Sequence, residues 1–186
     1  MRIIAGRLRG RRLESPRGRG VRPTSDRIRE SMFDLLGPGI EGLRVLDLFA
    51  GSGALGIEAL SRGAGQALFV ERDRQALALL RRNLAACRLE GDARVVAGEV
   101  RAFLAADRPG SPFDLVLADP PYRRGWPAVI VELLARGGWL GPGGRLVLEA
   151  ESGAEVPGQE GPLALEKSRR YGNTAVHVYR VVGDGG

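Results

Sequence analysis

Arg44-Val45-Leu46-Asp47-Leu48-Phe49-Ala50-Gly51-Ser52-Gly53-Ala54-Leu55-Gly56 is the stretch that decides the fold. An apolar run over 44–49 passes into a glycine loop and then into a helix-forming segment. Gly51, Gly53 and Gly56 satisfy the spacing G-x-G-x-x-G, which lets backbone approach a nucleotide closely. Open α/β sheets build their ligand crevices from strand–loop–helix units of this kind, at the carboxyl ends of the strands. Downstream the alternation repeats. Strands are predicted over 44–49, 67–71, 93–97, 113–118 and 144–150, and helices over 53–62, 73–86, 99–106 and 126–136, with Leu77, Leu80 and Leu84 in one apolar stripe. Such alternation implies a parallel sheet with helices on both faces. The C-terminal part differs: Leu163 to Glu166 and Ala175 to Val182 are strand-like, joined by Lys167 to Thr174 with no helix between, and read as an antiparallel hairpin closing the sheet.

Upstream the chain changes character. Residues 1–29 hold ten arginines against Glu14 and Asp26, a net of +8 in a chain whose formal charge is +6, so residues 30–186 carry −2. Lys167 is the only lysine, so arginine bias is general, but that bias does not explain an excess confined to one end. A basic arm for a polyanion on a near-neutral domain fits better. Arg2 to Ala5 and Arg11 to Leu13 flank Gly6 to Gly10 as a small hairpin. Ser15 to Pro23 reads as a linker, and Thr24 or Ser25 caps a helix to Leu36 with Ile28, Met32, Leu35 and Leu36 as its buried stripe. The expected organisation is a basic extension over 1–23, a catalytic domain over 24–183 and a frayed tail over 184–186. The single cysteine, Cys87, excludes an internal disulfide and a cysteine-type metal cluster, and no metal is expected. No run of about 18 apolar residues is present and the basic start lacks an apolar core, so neither a membrane span nor a secretory signal is expected and a cytoplasmic protein is the plain reading.

The chemistry lies at the strand ends. Asp47 ends the first strand, where it could hold the cationic amino end of a methionine moiety; a pyrophosphate there would be repelled. Glu71 ends the second, twenty residues after Gly51, where a carboxylate can accept both ribose hydroxyl hydrogens. Ordinary strand-end solvation is the alternative for both acids. Glu99, after the third strand, could accept from an adenine amino group while the Val100 amide reaches a ring nitrogen, or could serve the helix dipole alone. Asp119-Pro120-Pro121-Tyr122 follows the fourth strand. An exocyclic amine is a poor nucleophile because its lone pair is delocalised into the base. Acceptors for both amine hydrogens, the Asp119 carboxylate and a Pro120 carbonyl held in direction by the two prolines, would localise that lone pair. Tyr122 can stack on the base. Together these features point to methyl transfer from S-adenosylmethionine to a base nitrogen, driven by orientation and proximity.

Arg22-Pro23-Thr24, Arg27-Ile28-Arg29-Glu30, Asp47 to Gly56, Asp119-Pro120-Pro121-Tyr122 and Tyr171-Gly172-Asn173-Thr174 together resemble the bacterial RsmD-type methyltransferases, over nearly the whole chain. The resemblance implies a Rossmann-like class I methyltransferase fold, α/β, with a seven-stranded mostly parallel sheet, and S-adenosyl-L-methionine as cofactor. It implies N2 methylation of a guanine in 16S rRNA, guanine 966, within a partly or fully assembled small ribosomal subunit, by an enzyme expected to be a monomer. The cofactor set expected on this basis is Asp47, Phe49, Ala50, Gly51, Ser52, Gly53, Glu71, Arg72, Glu99, Val100 and Asp119. The catalytic set is Asp119, Pro120, Pro121 and Tyr122. RNA contacts are expected from Arg7, Arg9, Arg11, Arg12, Arg22, Arg27, Arg123 and Arg124. Family members commonly carry aspartate where this chain has Glu99.

Three other readings compete. A DNA adenine-N6 methyltransferase uses the same acid-Pro-Pro-aromatic chemistry, but usually needs a target-recognition domain for which there is no room after Arg123. A noncatalytic RNA-binding assembly factor would have no use for an intact Asp119 to Tyr122 loop. A nicotinamide-dependent oxidoreductase shares only the glycine spacing. His177, the only histidine, sits on one strand face with Tyr179 and Val181 and reads as a half-buried strand residue. Tyr171 and Asn173 could border the base pocket or simply make a turn.

Overall fold

A computed structural model describes residues 1–15, 26–106, 110–122 and 125–183. The linker expected over 15–23, the cap at Thr24 or Ser25, Arg22, Arg123, Arg124 and the tail over 184–186 lie at least partly outside the described residues.

The elements are α1 (Asp26–Leu36), β1 (Arg44–Leu48), α2 (Ala54–Ser61), β2 (Gln66–Glu71), α3 (Arg74–Cys87), β3 (Ala93–Ala97), α4 (Val100–Ala105), β4 (Phe113–Ala118), α5 (Trp126–Gly137), β5 (Leu140–Glu151), β6 (Gln159–Glu160), β7 (Leu163–Tyr171) and β8 (Thr174–Val181). They form one sheet of order β3-β2-β1-β4-β5-β8-β7-β6, in which the first five strands run parallel and β8, β7 and β6 are antiparallel. The order reverses direction at β1, between β2 and β4, so the carboxyl ends of these strands frame the crevice that such a switch point creates. This is a Rossmann-like, mostly parallel sheet closed by an antiparallel hairpin, as expected.

Three differences from the sequence reading have physical causes. The sheet has eight strands instead of seven, because Gln159–Glu160 adds a two-residue pairing beyond β7. β5 begins at Leu140, ahead of the start expected at Gly144, since Leu140 pairs with Phe113 before a register shift takes up the glycines and proline that follow. β7 runs on to Tyr171: its charged residues Lys167 to Arg170 are exposed, and their polarity disguises a strand that still pairs with β8.

Two apolar cores lie on opposite faces of the sheet. One holds Leu46, Leu48, Val116, Ile130 and Trp139; the other holds Val45, Ile57, Phe69, Leu80 and Leu115, together with Ile3 and Leu13 of the N-terminal segment. In α1 the stripe Ile28, Met32 and Leu36 is buried as expected, with Phe33 added and Leu35 half-buried. Arg29 is also fully buried there, a position that amphipathic patterning does not anticipate. Among the described residues no helix is long and apolar enough to cross a membrane.

Candidate active site

Side chains at the carboxyl ends of β1, β2, β4 and β5 converge on a cavity of about 1210 Å³. Asp47, Glu71, Glu99, Asp119 and Glu149 all line it, an acidic concentration inside a chain of net charge +6. Such a cavity favours a cationic ligand and disfavours a pyrophosphate.

Asp47 is the most constrained of these acids. It is buried, its Oδ2 accepts the Gly56 backbone N–H at 2.8 Å, and its Oδ1 has no hydrogen-bond partner. Burial pushes its pKa up to about 8, against the pull of the Gly56 amide, and the charges of Asp119 and Glu71 push in the same direction as burial. A buried acceptor without a partner costs roughly 1–3 kcal/mol, so the site is complete only when a cation or donor arrives. Gly56 must be glycine for Asp47 to be held this way. A Cβ there would stand 2.3 Å from the Phe69 ring and 3.1 Å from Asp47 Oδ2.

Glu71 straps two loops together. Its Oε2 accepts from Gly51 N at 2.8 Å, and its Oε1 from Arg72 N and Asp73 N, both at 2.8 Å. Asp73 in turn caps α3 by accepting from Gln75 N and Ala76 N. Glu99 is the N-cap of α4, accepting from Ala102 N at 3.0 Å, so the helix-terminal role weighed for it is realised while it also faces the cavity. Ala50 and Ser52 are buried in the loop, Val100 is buried at the start of α4, and Arg72 is exposed. Phe49 adopts φ 59°, a left-handed conformation costing on the order of 1–3 kcal/mol in a bulky residue. Its ring meets Trp126 edge-on at 4.8 Å, and both line the cavity.

The Asp119 to Tyr122 loop leaves β4 directly into this space. Pro120 is buried and Asp119 half-buried. The Tyr122 hydroxyl donates to Glu149 Oε1 at 2.8 Å and lies 2.7 Å from Thr174 Oγ1. A phenol has one hydrogen, so Thr174 donates to the Tyr122 oxygen. Burial, with the Glu149 charge assisting, raises the Tyr122 pKa to about 12, so the phenol stays a donor at any working pH. Glu149 and Thr174 were missed by the sequence reading. A signal existed for Glu149: it follows an apolar run, Leu146-Val147-Leu148, just as Glu71 and Asp119 follow theirs.

The N-terminal segment docks behind the glycine loop. Its hairpin is formed: Arg2 bridges Arg12, Ile3 N donates to Arg11 O at 2.9 Å and Gly10 N to Ile3 O at 2.8 Å. Ile4 N and Ala5 N donate to the buried Glu58 carboxylate at 2.8 and 3.0 Å, and Leu8 N to Ser61 Oγ at 3.0 Å. Gly6, at φ 80°, permits the approach, since a Cβ would fall 1.8 Å from the Ser61 carbonyl oxygen. Asn83 joins the segment to the glycine loop: its Oδ1 accepts from Glu14 N at 2.9 Å, and its Nδ2 donates to Ser52 O at 2.9 Å. Arg7, Arg9, Arg11, Arg12 and Arg27 are exposed. Arg7 pairs with Asp92 at 3.0 Å, and Arg11 donates to Ala86 O at 2.8 Å. His177 is buried in β8 beside Ser168, and burial lowers its pKa. Tyr171 to Thr174 forms the tight turn between β7 and β8 and delivers Thr174 to the pocket.

Residues 1–180 match the family described as conserved hypothetical protein 95. The ribosomal RNA small subunit methyltransferase D of Escherichia coli K12 is 41% identical over 180 residues, covering 97% of this chain and 89% of that protein. The chain belongs to the RsmD-type family of S-adenosylmethionine-dependent rRNA methyltransferases. The family member of the same name from Haemophilus influenzae is 38% identical over 181 residues, covering 97% and 93% of the two chains. The solved structure of the Escherichia coli family protein yhhF superposes with a TM-score of 0.86 at 41% identity, covering 98% of each chain.

Proposed function

We propose that this enzyme methylates the exocyclic N2 of a guanine in 16S rRNA, guanine 966, within a partly or fully assembled small subunit, acting in the cytoplasm as a monomer. One observation carries the reading: Asp119-Pro120-Pro121-Tyr122 opens into the same acidic cavity in which buried Asp47 keeps an oxygen without a partner. S-adenosylmethionine supplies a methyl group on a sulfonium and, with its amino group, two positive centres for such a cavity. Asp47 then holds the cationic amino end, and Glu71 the ribose hydroxyls. Phe49, Ala50, Gly51, Ser52 and Gly53 line the methionine and ribose, with Arg72, Glu99 and Val100 bordering the adenine.

Asp119 and the Pro120 carbonyl accept the two hydrogens of the guanine amine, which localises the nitrogen lone pair toward the methyl group. As nitrogen bonds to the methyl carbon, that carbon's bond to the sulfonium breaks with its electron pair left on sulfur, and the amine releases one proton toward Asp119. Tyr122 supports the base, and positioning supplies most of the rate. Exposed Arg7, Arg9, Arg11, Arg12 and Arg27 meet RNA phosphates, and Arg22, Arg123 and Arg124 extend that set. Phosphate contacts of this kind set register without reading sequence. Mass mapping of 16S rRNA from cells lacking the gene tests the reading. One guanine loses one methyl group and regains it when the gene is restored; an unchanged map rejects the assignment.

A further inference from the structure

We propose that Glu149 selects the base, by accepting the N1–H of the target guanine beside the amine held at Asp119. The inference rests on the guanine-N2 reading and names the group that enforces it. In the sheet, Ala118 of β4 pairs with Leu148 of β5, so Asp119 and Glu149 follow side by side on neighbouring parallel strands, whose backbones lie about 5 Å apart. Both line the cavity, and Glu149 is 5% exposed. Its carboxylate is held in place by the Tyr122 hydroxyl at 2.8 Å, from the same loop that carries Asp119. An ionised carboxylate offers about four acceptor sites, of which the phenol hydrogen takes one.

The chemistry of the bases then does the selecting. Guanine alone among the four presents an exocyclic amine and a ring N–H next to each other, both as donors. Adenine and cytosine place a ring acceptor beside the amine, whose lone pair would face the Glu149 carboxylate. Uracil has the ring N–H but no amine. A site with two neighbouring carboxylates at this edge therefore accepts guanine and opposes the other amine-bearing bases. Buried polar groups left facing the wrong partner give the strongest discrimination a binding site achieves. Tyr122, tied to Glu149 and Thr174, is the positioning residue for this reader.

The decisive experiment uses the full-length enzyme and a 16S rRNA-containing substrate in which the target guanosine is either kept or replaced by 2-aminopurine. That analogue keeps the 2-amino group but has a ring acceptor at N1. Wild-type enzyme is expected to methylate guanine at least about 100-fold faster than the analogue. Glu149→Gln, whose amide can donate to that ring nitrogen, should lose about tenfold or more on guanine while narrowing the guanine-to-analogue ratio by a comparable factor. S-adenosylhomocysteine affinity, measured alongside, should match the wild type and so report a folded site. An unchanged ratio in Glu149→Gln overturns the proposal, because a merely structural role lowers both rates together. Should that variant not fold, methylation of the analogue by the wild type within about threefold of guanine overturns it equally. A wild-type product other than N2-methylguanine, read by mass spectrometry of the nucleosides, rejects the underlying reading instead.

Discussion

Asp47 and Glu58 are both buried carboxylates at 1% exposure or less, one on β1 and the other on the helix that follows it. Glu58 is met on every side by its own chain. Its two oxygens accept from Ile4 N, Ala5 N and Arg62 Nε, and buried Arg29 stands 3.7 Å away. Asp47 receives one amide and is left with one oxygen without a partner, and the charges of Asp119 and Glu71 that act on it are also negative. A buried carboxyl group satisfied by its own chain belongs to the architecture. One that the chain surrounds but does not satisfy is prepared for something that arrives from outside. The two acids therefore divide the molecule into a dock that holds the N-terminal segment and a cavity that waits for a ligand.

The sharpest break of that division is on the cavity side. Asp119→Ala should lower single-turnover methyl transfer by about 10³-fold or more, since the amine loses the acceptor that localises its lone pair. Circular dichroism and melting temperature should be near wild type. Asp119→Asn, which still presents one carbonyl, should retain part of the rate. A near-normal rate for the alanine variant would make the loop structural.

On the dock side the effect moves from rate to stability. Glu58→Ala takes from buried Arg29 the buried one of its two carboxylates, leaving half-exposed Asp26, and removes the acceptor of two backbone amides. Breaking a buried pair from one side costs about 3–5 kcal/mol, and about 2–4 °C accompanies each kcal/mol in a domain of this size. A melting temperature lowered by roughly 6 °C or more is expected, by calorimetry. Removing the N-terminal segment outright would expose the same charges, so loss of RNA binding in a truncation would confound stability with contact. A Glu58→Ala protein as stable as wild type would show that the segment is only loosely attached.

How much of this was legible in the sequence follows the same line. Asp47, Glu71 and Asp119 were readable because each lies at or near the carboxyl end of an apolar strand, and the topology that gathers them obeys a general rule. The dock was not readable. Ile4 and Ala5 reach Glu58, and Asn83 reaches both Glu14 and Ser52, across separations in sequence that no local pattern carries. Arg29 in α1 is set apart from its neighbouring arginines by no local pattern, and its burial is met by Glu58, Asp26 and the Arg2 carbonyl. The strand over Lys167 to Arg170 was hidden because an edge needs no apolar side chains, only backbone pairing. Glu149 was visible as a residue, but its role depends on Tyr122 and Thr174 arriving from two other elements.

A pH titration sharpens the Asp47 half of the comparison. Its carboxyl is raised from 3.8 to about 8 by burial, so the folded protein without cofactor keeps a proton that the unfolded chain releases. Stability should therefore fall as pH rises between these two values. A cationic cofactor binds the ionised form, so its affinity should climb by up to about tenfold per pH unit below 8 and level off above it. Calorimetry in buffers of different ionisation enthalpy should detect one proton released on binding near pH 7. Asp47→Asn should weaken cofactor binding, flatten the pH dependence and leave stability equal or higher above pH 8. A wild-type affinity independent of pH between 6 and 8 would assign the cation to another acid.

The smallest expected effect separates surface arginines from docked ones. Arg9 and Arg12 are exposed, whereas Arg7 and Arg11 also bind Asp92 and the Ala86 carbonyl on the body of the protein. Exchanging Arg9 and Arg12 for glutamine should leave the melting temperature within about 1 °C, because exposed substitutions are usually near neutral. Each phosphate that is no longer neutralised should reduce the slope of log affinity against log salt by about 0.7–0.9, so the double exchange should flatten it by roughly 1.5. Cofactor affinity should not move, since neither arginine lines the cavity. RNA binding measured at four or five salt concentrations is sufficient. A full wild-type slope in the double variant would place the phosphate contacts elsewhere, and the charged edge of β7 at Lys167, Arg169 and Arg170, exposed beside the hairpin that delivers Thr174, would be the next surface to neutralise.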